Sequence, residues 1–221
     1  MKLDKIKIHN SLSEKVYEEI YRQISLGKLP PGQKITESQI SQAMGISRAP
    51  VREAFKQLAD DKLIMLVPRS GCYISKISSS EISEIYEIRK LLECMALEHA
   101  FDKLNLKQIA ELKNKFQECL DEEDEDVLIK KTILLDNQLH SIISKASECQ
   151  NLNEILEKFR ARIQLLRIKN SSIKGHAKRA ITEHLGIINS ILDRKKQDAI
   201  NLLTQHIENT KIDLLRILES E

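Results

Sequence analysis

The sequence lacks features that several classes of protein require. Its four cysteines, among 221 residues, are widely spaced and form no C-x-x-C pair. Reduced thiols are therefore expected, rather than a disulfide framework or a zinc knuckle, and no pattern indicates the lowered thiol pKa of a redox sensor. The sequence also has no apolar run long enough to span a bilayer and no signal-peptide pattern at its start. These absences predict a soluble cytoplasmic protein.

Proline and glycine are scarce in most of the chain. All four prolines and four of the six glycines lie within the first 71 residues, so the remaining 150 can form successive helices with few breaks. Residues 1–76 hold 13 Lys/Arg against 8 Asp/Glu, a net charge of +5, whereas residues 77–221 hold 22 against 25, a net charge of −3. We therefore predict two domains, residues 1–76 and residues 80–221, with any affinity for polyanions in the first.

The segment from Thr36 to Phe55 is typical of two short helices separated by a sharp turn. Thr36 can cap the first helix, and Gln39 follows three residues later, as in a capping box. Gly45 favours a break, and Ser47 can cap the second helix. This pattern predicts a helix-turn-helix.

The second of these helices has the two-sided character of a DNA recognition helix. Arg48 and Arg52 are four residues apart and share one face near its N-terminus, whereas Val51, Phe55 and Leu58 cover the other face. The apolar face can dock on its own domain while the arginines enter a major groove, where arginine binds the O6 and N7 atoms of guanine. For two arginines alone, a solvated amphipathic helix is the simpler interpretation.

A β-hairpin is predicted directly after this helix. Residues 63–67 and 72–77 are short apolar or alternating runs on either side of the turn sequence PRSG. Three helices followed by a hairpin predict a winged helix-turn-helix. The tip of the wing would bring Arg69, Ser70 and Gly71 to phosphates or to the minor groove, although a plain turn glycine explains Gly71 equally well.

Four motifs, PPG, TES, SRAPVREAF and PRSGCYI, follow one another in the first part of the chain. With these motifs in this order, residues 11–76 resemble the DNA-binding domain of the GntR family of bacterial transcription regulators. The sequence departs from the family at residues 60–62, where DDK replaces an acidic residue followed by glycine, which leaves the angle of the wing open. By resemblance, the DNA contacts carry over to Ser38, Ser47, Arg48, Arg52, Arg69, Ser70 and Gly71.

From Ser80 onward, apolar residues recur with the period of α-helices. This pattern predicts an all-helical bundle with helices over residues 80–101, 105–121, 125–147, 151–172, 177–193 and 195–218. The acidic residues 121–126 are most simply a solvated helix start, because they lack the glycine and the alternating spacing of a calcium-binding loop.

Polar residues interrupt the predicted core faces of three of these helices. Asp136 and His140 lie four residues apart on one such face, and His184 and His206 interrupt the faces of two later helices. Burying a polar group without a partner costs on the order of a few kcal/mol. Each histidine alone could be an ordinary core residue, but one shared partner explains all three more simply. An aspartate and three imidazoles suit a divalent metal ion such as Zn²⁺, Ni²⁺ or Mn²⁺.

The second domain contains the segment EIYEIRKLLECMALEHA, a D-x-x-x-H motif, a Glu-His pair and a histidine in the last helix. With these features, residues 80–218 resemble the FCD ligand-binding domain of the FadR subfamily. In members of the subfamily that contain a metal, the ligands occupy four positions that correspond here to Asp136, His140, His184 and His206.

Arg89 is a candidate residue for binding an effector. By resemblance it faces the same cavity as the metal ligands, where a guanidinium could bind a carboxylate. A helix ion pair with Glu93, one turn later, explains Arg89 nearly as well. The remaining histidines, His9, His99 and His176, have no comparable setting and receive no role.

Together these patterns predict a homodimeric transcription regulator, with repression as the expected mode, that binds a palindromic operator in double-stranded DNA. One recognition helix reads too few base pairs, whereas two related by symmetry read half-sites about one helical turn apart. The helical domain is expected to bind a small carboxylate effector at a divalent metal. One alternative is a regulator whose effector is the metal ion itself. A metal-dependent enzyme is a weaker alternative, because no further carboxylate or nucleophile stands at motif spacing.

Overall fold

The computed structural model describes residues 11–68, 70–171 and 175–219. The chain divides into two compact units, Met1–Ile77 and Ser78–Glu221. The first contains a winged helix-turn-helix and the second is all-helical, which confirms the predicted fold class. None of the helices in the described ranges is long and apolar enough to cross a membrane.

The N-terminal unit has three helices and three short strands within its described residues. In chain order they are α1 (Leu12–Ser25), β1 (Lys34–Ile35), α2 (Glu37–Met44), α3 (Arg48–Asp60), β2 (Ile64–Val67) and β3 (Gly71–Ile74). Ser11 and Glu14 form a complete capping box at the start of α1. Helix α1 packs against α3, and Val16, Val51 and Leu58 are fully buried in this unit. This core holds α3 with its arginine face outward.

The two helices of the helix-turn-helix begin and end largely as predicted. The Thr36 side chain accepts a hydrogen bond from the backbone N–H of Gln39, as predicted. The Gln39 side chain, however, accepts from the Thr36 hydroxyl and not from the Thr36 backbone N–H, so the predicted capping box is incomplete. Gly45, with φ of 65°, ends α2 in the left-handed conformation. Ser47 is the N-cap residue of α3, but its side chain makes no capping hydrogen bond to any described residue, so this part of the prediction was wrong.

The wing is a small antiparallel sheet in the order β1-β3-β2. Strands β2 and β3 pair with Ile64 opposite Ile74 and with Val67 opposite Gly71. Strand β3 ends at Ile74 rather than at residue 77, because the ladder breaks at Leu63. The Leu63 carbonyl still accepts from Ser75 N–H, but the Leu63 N–H donates to Leu58 O. Strand β1 was not predicted, because two residues are too few to show alternation.

Lys62 makes the turn between α3 and the wing. Its φ is 56°, in the left-handed region that favours glycine. The backbone N–H of Lys62 donates to Ala59 O, and that of Leu63 donates to Leu58 O. The departure from the family pattern at this point therefore keeps a left-handed turn without a glycine.

The described part of the helical unit contains six helices. They are α4 (Ser79–Ala100), α5 (Leu106–Leu120), α6 (Glu125–Ala146), α7 (Gln150–Ser171), α8 (His176–Leu192) and α9 (Lys196–Glu219). Each end lies within one residue of its predicted position. Asp124 caps α6 by accepting from the backbone N–H groups of Asp126 and Val127, which confirms the acidic segment as a helix start.

The packing of the helical unit brings four of its helices around one interior region. Helix α4 packs against α6 and α9, and α8 packs against α5, α6 and α9. The facing stripes are apolar, as shown by fully buried Leu139, Ile181, Ile188 and Leu203. Polar side chains on α4, α6, α8 and α9 therefore meet in a region from which water is largely excluded.

Candidate metal centre and nucleic-acid interface

Asp136 lies among three histidines inside the helical unit. Its Oδ1 atom is 3.0 Å from Nε2 of His184, 3.4 Å from Nε2 of His140 and 3.7 Å from Nε2 of His206. One ligand atom from each of the four residues lies within 4.8 Å of the other three. All four side chains are buried, with His184 at 0% exposure. The structure thus brings together the four residues predicted as metal ligands.

The distances from Asp136 Oδ1 to the three histidine nitrogens fit a divalent metal ion. Nitrogen and carboxylate ligands lie about 2.0 to 2.2 Å from Zn²⁺, so atoms bound to one ion are at most about 4.4 Å apart. The three separations from Asp136 Oδ1 are within this limit. Imidazole and carboxylate together also form a ligand set that suits Zn²⁺ and its neighbours in the first transition row.

Carboxylates on the outer side of two histidines direct their Nε2 atoms inward. Nδ1 of His206 lies 2.7 Å from Oε2 of Glu183, whose other oxygen accepts a 2.7 Å hydrogen bond from Asn209. Nδ1 of His140 lies against Oε2 of Glu93, although the pair lacks the geometry of a hydrogen bond. A carboxylate beside Nδ1 favours the hydrogen on that nitrogen and leaves the lone pair on Nε2, where a metal would bind.

Burial and neighbouring charges set the protonation of His184 and His206. Burial, followed by the nearby His206, lowers the pKa of His184 to about 4, so this ring is neutral at pH 7. Neither ring nitrogen of His184 has a hydrogen bond of acceptable geometry to a described residue, although Nε2 is 3.0 Å from Asp136. Burial opposes a charge on His206, but Asp136 and Glu183 outweigh it and raise the pKa of that ring.

Arg89 is buried beside this cluster at 1% exposure. Its Nε donates a 2.5 Å hydrogen bond to Oε1 of Glu93, so the predicted ion pair is present. Its Nη2 lies 3.2 Å from Nε2 of His140. Arg89 also borders a cavity of about 30 Å³, enough for one or two water molecules. The cavity is lined by Arg89, Ile129, Thr132, Ile133, Asp136, His176, Ala177, Ala180, His206 and Thr210.

The structure places one residue near the site that received no role from the sequence. His176 lines the same cavity, and its Nδ1 lies 3.1 Å from Nη2 of Arg179 and 3.4 Å from Oδ2 of Asp213. His176 is the first residue of α8, so the sequence has no earlier helical turn from which its face of the helix could be predicted. His99, by contrast, is exposed on α4.

The predicted DNA contacts of the helix-turn-helix lie on an exposed surface. Ser38, Ser47, Arg48 and Arg52 are all exposed, whereas the apolar face of α3 is buried, which confirms the two-sided character of this helix. Nη2 of Arg48 donates to the Ser38 hydroxyl at 3.1 Å. Arg52 makes two hydrogen bonds, each 3.0 Å, to the carboxylate of Glu37.

The wing provides two further predicted contacts. The hydroxyl groups of Ser70 and Tyr73 are 2.7 Å apart. Gly71 has φ of 120°, a conformation that residues with a side chain rarely adopt, so the backbone itself requires this glycine. Arg69 lies outside the described residues. Conformation alone therefore explains Gly71, whatever it contacts in DNA.

Comparison with known proteins gives the same division of the chain. The description "Bacterial regulatory proteins, gntR family" matches residues 12–74, and "FCD domain" matches residues 84–209. The Uncharacterized HTH-type transcriptional regulator YdhC of Bacillus subtilis (strain 168) is 28% identical over 206 residues, which are 92% of this chain and 91% of that protein. The HTH-type transcriptional repressor RspR of Escherichia coli (strain K12) is 26% identical over 203 residues, which are 89% of this chain and 86% of that protein.

Solved structures share the fold. E. coli McbR/YncC superposes with a TM-score of 0.75 at 20% identity, covering 95% of this chain and 100% of that one. The Zn²⁺-bound FCD domain of TM0439, described as a putative transcriptional regulator, gives a TM-score of 0.56 at 22% identity and covers 66% of this chain and 100% of its own. The similarity to the TM0439 domain concerns the helical unit.

A winged helix-turn-helix, an all-helical second unit and relatives that are transcriptional regulators together define a transcriptional regulator. The chain belongs to the GntR family, and its helical unit is an FCD domain. The families and relatives that it matches are regulators rather than enzymes, as predicted.

Proposed function

We propose that this regulator is a homodimeric repressor that binds a palindromic operator and responds to a small carboxylate bound beside a divalent metal. The metal ligands would be Asp136, His140, His184 and His206. The observation that carries this proposal is the convergence of three buried Nε2 atoms on Oδ1 of Asp136. A bound metal would supply a Lewis acid that attracts a carboxylate oxygen. The repressor RspR, among the relatives, supports repression.

The DNA contacts in this proposal come from the recognition helix and the wing. Arg48 and Arg52 are exposed near the N-terminus of α3, the part of a recognition helix that reaches base edges. Their guanidinium groups suit guanine, and nearby hydroxyls suit phosphate oxygens. The full set is Ser38, Ser47, Arg48, Arg52, Arg69, Ser70 and Gly71.

Arg89 is the proposed residue for the effector carboxylate. Its Nη1 atom is buried and has no hydrogen-bond partner among the described residues, so it is an available cationic donor. An arginine can hold a carboxylate through two parallel hydrogen bonds. Since the cavity is only about 30 Å³, an organic acid binds only if the helices around it move apart. A ligand that prefers the wider arrangement would shift the population toward it, which is what regulation requires.

The small cavity also favours a second candidate, in which the metal ion is itself the effector. A space for one or two water molecules accepts an ion with its bound water without any rearrangement. In that case metal binding alone would change the affinity for the operator. The two candidates share their metal ligands and differ only in whether an organic ligand is needed.

An exposed apolar stripe on α4 supports a homodimer. Ile88, Leu91 and Met95 lie at spacings of three and four residues, on one face of the helix. All three side chains are exposed, and Leu91 reaches 68%. A contiguous apolar surface of this kind is typical of protein contacts. A second copy of the chain would cover it and provide the second recognition helix that a palindrome needs.

The proposal is tested on an operator selected from random DNA by the purified protein. Fluorescence anisotropy would measure operator affinity for the metal-stripped protein, then with Zn²⁺ alone, then with Zn²⁺ and single carboxylic acids such as lactate or citrate. Release of DNA only when metal and acid are both present supports a carboxylate effector. Release by Zn²⁺ alone supports the second candidate. Identical affinity under all conditions would contradict both.

A further inference from the structure

Arg89 contacts the nitrogen of His140 that a metal ion would use. Nη2 of Arg89 lies 3.2 Å from Nε2 of His140. A guanidinium only donates hydrogen bonds, so Nε2 must provide the lone pair in this contact. A neutral ring that accepts at Nε2 carries its hydrogen on Nδ1, against which the Glu93 carboxylate lies without the geometry of a hydrogen bond. His140 therefore has one available lone pair, and Arg89 occupies it.

A metal ion needs the same lone pair. The Nε2 atom that accepts from Arg89 also lies 3.4 Å from Oδ1 of Asp136, on the side where the other two histidines converge. A nitrogen with one lone pair cannot accept a hydrogen bond from Arg89 and bind a metal at the same time. The two cations would also repel each other strongly in a buried site.

Glu93 determines where Arg89 goes when it leaves His140. The Nε atom of Arg89 is bound to Oε1 of Glu93 at 2.5 Å, and this contact does not involve the shared nitrogen. With Nε held, the guanidinium stays beside the cavity that it already borders. Its Nη2 atom would then join the buried Nη1 atom as an available donor.

We propose that Arg89 and the metal compete for Nε2 of His140, so that metal binding releases the Arg89 guanidinium to the cavity for a carboxylate. This inference rests on the proposed metal site and adds a coupling between metal and effector, with Glu93 as the positioning residue. Metal binding therefore strengthens carboxylate binding. By thermodynamic linkage, a carboxylate that holds Arg89 away from His140 strengthens metal binding by the same factor.

The competition predicts that removing the arginine tightens metal binding. Zn²⁺ affinity would be measured by competition with a chromophoric chelator, in a buffer free of carboxylates, for wild type, Arg89→Gln and Lys90→Gln. We expect Arg89→Gln to bind Zn²⁺ roughly tenfold or more tightly than wild type, since the competing hydrogen bond involves a charged donor. Lys90→Gln is the matched control, because it removes a cation from the next position on α4. Lys90 pairs with Glu208, so this change should leave the Zn²⁺ affinity unchanged.

Arg89→Gln leaves the buried Glu93 without its cation, which can prevent folding. Arg89→Lys is the second variant, because an ammonium can still pair with Glu93 but lacks the fork that reaches His140. It should also bind Zn²⁺ more tightly than wild type. Folded variants that bind Zn²⁺ no more tightly than wild type would overturn the competition while leaving the metal site in place. A wild-type protein that binds no Zn²⁺ would overturn the metal site and the competition together.

Discussion

Arg52 donates two parallel hydrogen bonds to Glu37, from Nε to Oε1 and from Nη2 to Oε2, each 3.0 Å long. The pair joins the recognition helix α3 to helix α2. Because the Arg52 side chain is 60% exposed, this ion pair contributes little to stability. In the proposed role of Arg52, the pair would orient the guanidinium in advance and so reduce the entropy lost on binding a base.

Replacing Arg52 with alanine should abolish specific operator binding and leave the thermal unfolding temperature nearly unchanged. The lost interaction is with DNA, whereas the lost ion pair with Glu37 is exposed. Arg22→Ala is a matched control, because Arg22 makes a similarly exposed pair with Glu19 on α1. Anisotropy with operator and scrambled DNA would measure both variants. Specific binding by Arg52→Ala at physiological salt would show that α3 is not the recognition helix.

The conformation of the wing can be tested at Gly71. Gly71→Ala should destabilise the protein by about 1 to 3 kcal/mol, because φ of 120° strains any L-residue, whereas the flexible end of Lys34 can move away from the new Cβ. Gly186→Ala is the contrasting control, since its Cβ would meet only Leu202 at an ordinary 3.5 Å. That change should be neutral or stabilising in a helix. Urea unfolding followed by circular dichroism would give the unfolding midpoint of each variant. Equal midpoints for Gly71→Ala and Gly186→Ala would argue against a strained wing.

Glu183 should influence the metal without touching it. Glu183→Gln weakens the acceptor that orients Nδ1 of His206, so we expect Zn²⁺ affinity to fall about 10- to 100-fold. Glu208→Gln on α9 provides the control, because Glu208 pairs only with surface lysines among the described contacts. Chelator competition measures both. If the two variants bind Zn²⁺ alike, Glu183 does not support the site.

The apolar stripe on α4 is tested by introducing a charge. Leu91→Glu should convert the proposed dimer to monomer, because a carboxylate would be buried against apolar surface in the contact. Leu134→Glu is an equal change at an equal exposure of 68% on α6, outside the stripe. Sedimentation velocity would report the mass of each variant. A Leu91→Glu protein that remains dimeric would place the dimer contact elsewhere.

Helical periodicity was enough to predict, from the sequence, which histidines face the core of the helical unit. A helix repeats its faces every three to four residues, so the inward side of α6, α8 and α9 could be identified, and with it the buried positions of His140, His184 and His206. Their convergence on Asp136 was inferred from the cost of burying polar groups. The structure shows that convergence directly.

Contacts between separate elements could not be predicted in this way. The pairing of Arg52 with Glu37, and of His206 with Glu183, depends on how two helices pack and on which rotamers fit. Strand β1 was missed because its pairing with β3 is a backbone contact that leaves no alternation in two residues. His176 was missed because it stands at a helix end, where periodicity gives no face.

The metal content of the purified protein tests whether the four buried residues form one metal site. Elemental analysis should find about one divalent metal ion per chain in wild type and in His99→Ala, which alters an exposed histidine on α4. His184→Ala removes a fully buried ligand and should lose most of the metal, with circular dichroism confirming that the variant is folded. Equal metal content in folded His184→Ala and wild type would contradict a shared site at Asp136, His140, His184 and His206.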